Sequence, residues 1–118
     1  EQQHAAKVYD YLIDQGVEVS LTEISVPPIE FGSLLDVFEA SLAHEQEMTA
    51  CLNDLSDRAL QAKDHATYNL LQWFVNEQVE EEASINGIIA KLRLVGNDGY
   101  GLLMIDTELG SRAAADAG

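Results

Sequence analysis

The feature that most constrains this chain is a pair of long helical seams separated by a very short break. From Leu34 to about Ala62, the positions Leu35, Phe38, Leu42, Glu45, Thr49, Leu52, Ser56 and Ala59 recur in steady 3–4 alternation. That is the period of a helix that buries one face. The same period returns from about Thr67 to Val95, at Leu70 or Leu71, Phe74, Gln78, Glu81, Ile85, Ile88, Leu92 and Val95. The break between them, KDHA at Lys63 to Ala66, is short enough to make the two helices antiparallel neighbours. Ser33 is a good N-cap for the first of them, and Asp36 three residues on gives a box-like start. The pattern predicts an all-α bundle.

The flanks fill in the rest. Glu1 to about Gln15 reads as helix, with Val8, Tyr11 and Leu12 at helical spacing and Gly16 as its stop. Residues 17–32, VEVSLTEISVPPIEFG, hold two prolines and several β-branched residues, which predicts an extended crossover. Sixteen extended residues reach roughly 50 Å, and a helix of about 28 residues is about 42 Å long. The crossover can therefore span a bundle and leave the helices on either side of it parallel. After Val95, GNDGYG reads as a turn-rich linker, and Leu102, Ile105 and Leu109 suggest one short helix over 102–110. Residues 111–118, SRAAADAG, read as a flexible tail. There is no internal repeat, so 1–110 is expected to form one domain.

Charge narrows the function classes. Twenty-one Asp and Glu against six Lys and Arg give a formal charge of −15. That argues against nucleic acid or an anionic membrane as partner, because both need a basic face. It allows a surface that handles cations, and it also serves solubility. Cys51 is the single cysteine, which excludes an internal disulfide and a Cys-rich zinc motif and fits a reducing, cytoplasmic setting. It is expected to be a small core residue.

The chemistry-bearing residues are those that sit where a seam wants Leu. Glu45 lies between Leu42 and Leu52, while Gln78 and Glu81 lie between Phe74 and Ile85. Glu1 and His4 share a stripe with Val8 and Tyr11, on one helix face at a spacing of three. A lone buried carboxylate is costly unless paired or bound to metal. None of the six cationic side chains obviously shares these levels. Hard oxygen ligands with one imidazole suit iron or manganese, with zinc a competitor. A second reading stays open at each point. Glu1 can be a frayed end, His4 a surface histidine, Glu45 rotated outward, and the run EQVEEE one solvated acidic face. His44 and His65 read as surface residues, Tyr9 and Tyr11 as packing or interface residues, and Trp73 as core.

Taken together, EQQHAAKVYDYLIDQG, the VPPIEF crossover, AHEQEM, NLLQWFVNEQVEEEASI and GNDGYGLLMIDTEL resemble the prokaryotic non-haem ferritins, from Glu1 to about Leu109. The resemblance implies a ferritin-like four-helix bundle with a long crossover and a short last helix. It implies iron storage with ferroxidase activity at a di-iron centre, with dioxygen or peroxide as oxidant. It also implies a homo-oligomeric 24-mer shell that holds the ferric mineral. Glu1 and His4 match the family's Glu-x-x-His, Glu45 the carboxylate of the next helix, and Gln78 and Glu81 the pair on the last long helix. Glu77 and Glu80 match ligands of an extra iron site.

Haem-binding relatives carry a Met after the first motif Glu and a second Glu-x-x-His, whereas this chain has Gln2 and Gln78-x-x-Glu81, so no haem is expected. The resemblance further implies that the family's first helix and the start of its second do not occur in this sequence. On that reading the chain is a fragment of a longer reading frame with impaired activity. The competing classes are another di-iron or di-manganese bundle oxidoreductase and a non-catalytic helical interaction module.

Overall fold

The computed structural model describes residues 2–25 and 32–116, with side chains described up to Arg112. Helices account for its regular structure, and there is no strand among the described residues: α1 (Gln2–Asp14), α2 (Leu34–Gln61), α3 (His65–Val95) and α4 (Gly99–Asp116). The chain divides into two compact units, 1–30 and 31–118.

In the first unit, α1 ends as its glycine dictates. Gly16 takes φ +73°, and the chain closes with Gly16 N donating to Ile13 O and Val17 N to Leu12 O. This is the paired closure that a left-handed glycine makes at a helix C-terminus. His4, Lys7, Tyr11 and Leu12 are half-buried, and Tyr9 is exposed. Residues 17–25 carry no regular structure. The VPPIEF part of the predicted crossover lies outside the described residues.

The second unit is built on the antiparallel α2–α3 hairpin. Ser33 caps α2, its hydroxyl accepting from Asp36 N at 3.2 Å. All eight predicted seam positions of α2 are buried or half-buried, as are those of α3 from Leu71 onward. The hairpin turn is tighter than the sequence suggested. Lys63, at φ +57°, takes the left-handed place usually given to glycine, and Lys63 N and Asp64 N close back on Leu60 O and Ala59 O. Asp64 then caps α3 at once, so α3 begins at His65 rather than near Thr67. Its carboxylate accepts from Thr67 N at 3.1 Å and from the Thr67 hydroxyl at 2.6 Å.

The last helix is longer than expected. Asp98 accepts from Gly101 N at 3.1 Å, a cap that starts α4 inside the glycine-rich stretch read as linker. A Cβ at Gly101 would lie 2.5 Å from Val95 Cγ1, so this glycine serves close approach to α3 and not a turn. The C-terminal stretch read as tail is helical to Asp116. Leu102, Ile105 and Leu109 seat α4 on a core of Ile88, Leu92, Leu35, Phe38 and Val95. Lys91 bridges to Glu108 at 2.6 Å, and Arg112 reaches the same carboxylate at 3.3 Å. Glu108 titrates below its ordinary value because Lys91 hydrogen-bonds to it.

Two expectations fail on burial. Cys51 is exposed rather than a core residue, because it lies one position off the α2 seam. Trp73 is 37% exposed and meets Phe74 edge-on at 4.9 Å. Phe74, one residue on, takes the core position.

The hydrogen bonds from Thr67 hold the Asp64 carboxyl below its usual value of 3.8. A depressed carboxylate contributes stability above its unfolded pKa and loses it as pH falls through the folded one. Asp64→Ala is therefore expected to lower the melting temperature at neutral pH. The gap from the parent chain should close as pH drops below 3.8. Circular-dichroism melts across pH check this; a gap that does not change with pH would contradict the cap's charge dependence.

Candidate metal-handling site

The second unit carries a polar quartet midway along the hairpin. Glu45 and Thr49 are one turn apart on α2; Gln78 and Glu82 are one turn apart on α3. Because both helices hold the seam period, these two turns face each other. Gln78 is buried, at 5% exposure. Its Nε2 donates to Glu45 Oε2 at 3.0 Å, to Glu45 O at 3.0 Å and to Thr49 Oγ1 at 3.2 Å. Glu45 Oε2 and Glu45 O are acceptors, which fixes the orientation of the amide: turned over, it would set oxygen against oxygen at both. The Thr49 hydroxyl in turn lies 3.0 Å from Glu45 O and 3.2 Å from Glu82 Oε2.

The electrostatics follow from what is missing. Among the described residues, Glu45 has an amide and not a cation as its partner. The cations nearest the other end of the hairpin are engaged elsewhere: Arg93 with Glu39 at 2.9 Å and Lys91 with Glu108. Beyond the quartet, Glu77 and Glu81 are half-buried on the same side of α3, and Glu80 is exposed. Glu45 and Glu82 thus give a half-buried acidic band around one neutral donor group, an arrangement that favours an added cation.

Of the residues singled out in the sequence, the structure brings Glu45 and Gln78 into direct contact. Glu81 lies on the next turn of α3 from Gln78, with Glu77 beside them. His4 is half-buried in the first unit, and Glu1 lies outside the described residues. Among the described residues, no three His, Cys, Asp or Glu side chains converge as a metal cluster. His44 and His65 are exposed. Thr49 and Glu82, which the sequence does not single out, join Glu45 and Gln78 in this hydrogen-bonded quartet. The signal was present in the matched i, i+4 pairs of the facing seams, but a Thr in a seam reads as a tolerated small residue.

The Gln78 amide makes a clean test of this electrostatic picture. Gln78→Glu would set a carboxylate oxygen about 3 Å from Glu45 Oε2, removing a donor and adding like charge. The expected cost is about 2 kcal/mol at pH 7. Denaturant unfolding of the variant beside the parent chain measures it.

Comparison with known proteins fits this geometry. Residues 1–95 match the family described as Ferritin-like domain. The chain is 45% identical over 106 residues to the bacterial non-heme ferritin of Campylobacter jejuni, covering 90% of this chain and 64% of that protein. It is 42% identical over 112 residues to the Staphylococcus aureus bacterial non-heme ferritin, covering 95% and 68%. The crystal structure of an open-pore ferritin from Archaeoglobus fulgidus superposes with a TM-score of 0.89 at 47% identity, covering 91% of this chain and 66% of that one. The chain thus spans about two thirds of the length of the relatives it matches. A humanized archaeal ferritin matches with a TM-score of 0.90 at 45% identity. With this helical hairpin, its acidic band and these matches, the chain belongs to the ferritin-like domain family.

Proposed function

We propose that this chain serves iron storage, with Glu45 and Glu81 among the carboxylates that receive Fe(II) and hold it for oxidation to Fe(III). The observation that carries the reading is the half-buried Glu45 carboxylate, held at 3.0 Å by a neutral amide and unmatched by a cation among the described residues. An incoming Fe(II) supplies the missing positive charge. From the family resemblance we add Glu1 and His4 as ligands of a di-iron centre, with Gln78 in the same set. Glu77 and Glu80 serve a third iron. Two iron ions held together can each give one electron to a single oxidant, dioxygen or peroxide. Carboxylates favour the product, because Fe(III) carries more charge for the same ligands.

The proposal extends to a homo-oligomeric shell, a 24-mer in the intact protein, acting in the cytoplasm and without haem. Three observations support it: membership of the ferritin-like family, the relatives named as bacterial non-heme ferritins, and a charge of −15 suited to drawing in cations. No helix among the described residues is long and apolar enough to cross a membrane.

Removing the ligands tests the assignment. Glu45→Ala and Glu81→Ala should each slow Fe(II) oxidation at least about tenfold, in the range typical of lost metal-site groups. Stopped-flow absorbance in the near ultraviolet after mixing with air-saturated buffer reads the rate. Unchanged rates in both variants would overturn the assignment.

A further inference from the structure

We propose that Thr49 and Glu82 form a fall-back for the Gln78 amide, so that the Glu45 carboxylate can leave its hydrogen bond and turn to a cation without orphaning a buried donor. The inference rests on the metal-handling reading of Glu45 and assigns positioning roles to two residues outside the ligand set.

Hydrogen bookkeeping carries the argument. Gln78 Nε2 bears two hydrogens and Thr49 Oγ1 bears one. They face four acceptor atoms: Glu45 Oε2, the Glu45 backbone oxygen, Thr49 Oγ1 itself and Glu82 Oε2, at 3.0 to 3.2 Å. With Glu45 docked, the amide spends one hydrogen on the carboxylate. When the carboxylate turns away, both amide hydrogens still have acceptors already in place, Glu45 O at 3.0 Å and Thr49 Oγ1 at 3.2 Å. The Thr49 hydrogen then goes to Glu82 at 3.2 Å.

Glu82 matters because the Glu45 carbonyl has one lone pair left after its helical bond. The Thr49 hydroxyl and the Gln78 amide both reach for it, and Glu82 draws the hydroxyl off. Both closed arrangements use the positions seen in the structure, so the carboxylate moves while the helices stay. Gln78 is buried, so its amide needs acceptors within the hairpin when the carboxylate leaves. Among the described residues, the hydrogen bond to Glu82 comes from Thr49, which leaves that carboxylate free of competing duties within the hairpin.

Replacing the hydroxyl separates this role from packing. Thr49→Val keeps the shape and removes both acceptor and donor, while Thr49→Ser restores them. The full chain is titrated anaerobically with Co(II), a probe that does not oxidise here and reports binding through its visible absorption. Thermal melts of the metal-free proteins run alongside.

The expected result is about tenfold weaker Co(II) binding in Thr49→Val at unchanged stoichiometry, with Thr49→Ser within about twofold of the parent. Glu82→Ala should weaken binding about threefold, and it carries the test if Thr49→Val fails to fold. Parent-like affinity in Thr49→Val, or in Glu82→Ala where that variant carries the test, would overturn the inference while leaving the function intact, provided Glu45→Ala abolishes binding. Absence of Co(II) binding in the parent chain, or binding indifferent to Glu45→Ala, would overturn the functional reading itself and the inference with it.

Discussion

The hydrogen bond between the Gln78 amide and the Glu45 carboxylate is the interaction on which the second unit turns. A carboxylate in a helix seam opposes burial, and an unpaired amide opposite it would do the same. Paired at 3.0 Å, they let α2 and α3 stay in contact through the middle of the hairpin, where the apolar seam is interrupted. On either side the packing is ordinary. Leu71, Phe74 and Ala59 fill one end, while Ile88, Leu92 and Ile105 fill the other. The polar quartet is thus held between two apolar clamps. On the proposed reading, this frame lets its side chains exchange partners around a cation while the backbone stays.

Much of this was legible in the sequence, for identifiable reasons. The seam periods located α2 and α3 because burial on one face of a long helix repeats many times, and no single residue decides it. Ser33 and Gly16 were readable because capping chemistry is local. Glu45 and Gln78 stood out as polar residues at apolar positions. The turns were less legible. Lys63 takes a left-handed conformation that its side chain does not advertise, and it does so because Asp64 caps the next helix immediately. Gly99 and Gly101 looked like linker, yet Asp98 caps α4 and the second glycine makes room for Val95. Cys51 and Trp73 show the limit of reading burial one residue at a time: a single position off the seam changes the face.

Thr49 and Glu82 illustrate a different limit. Their importance is relational, since each is unremarkable on its own helix. It appears when the register of the antiparallel pair sets Glu45 with Thr49 against Gln78 with Glu82. Periodicity gives which residues face inward, but a hydrogen-bond network depends on which turn meets which. The register is set by the tight turn at Lys63 and Asp64, the element the sequence disclosed least.

The central claim is that the Glu45 carboxylate leaves the Gln78 amide to bind iron. Crystals of the chain soaked anaerobically with Fe(II), with an anomalous difference map at the iron edge, test it most directly. The account predicts an iron peak within bonding distance of Glu45 and Glu81, a lengthened separation between Gln78 Nε2 and Glu45 Oε2, and the amide still held by Glu45 O and Thr49 Oγ1. Iron bound only elsewhere, or a hydrogen bond from Gln78 to the Glu45 carboxylate unchanged beside a bound iron, would contradict it.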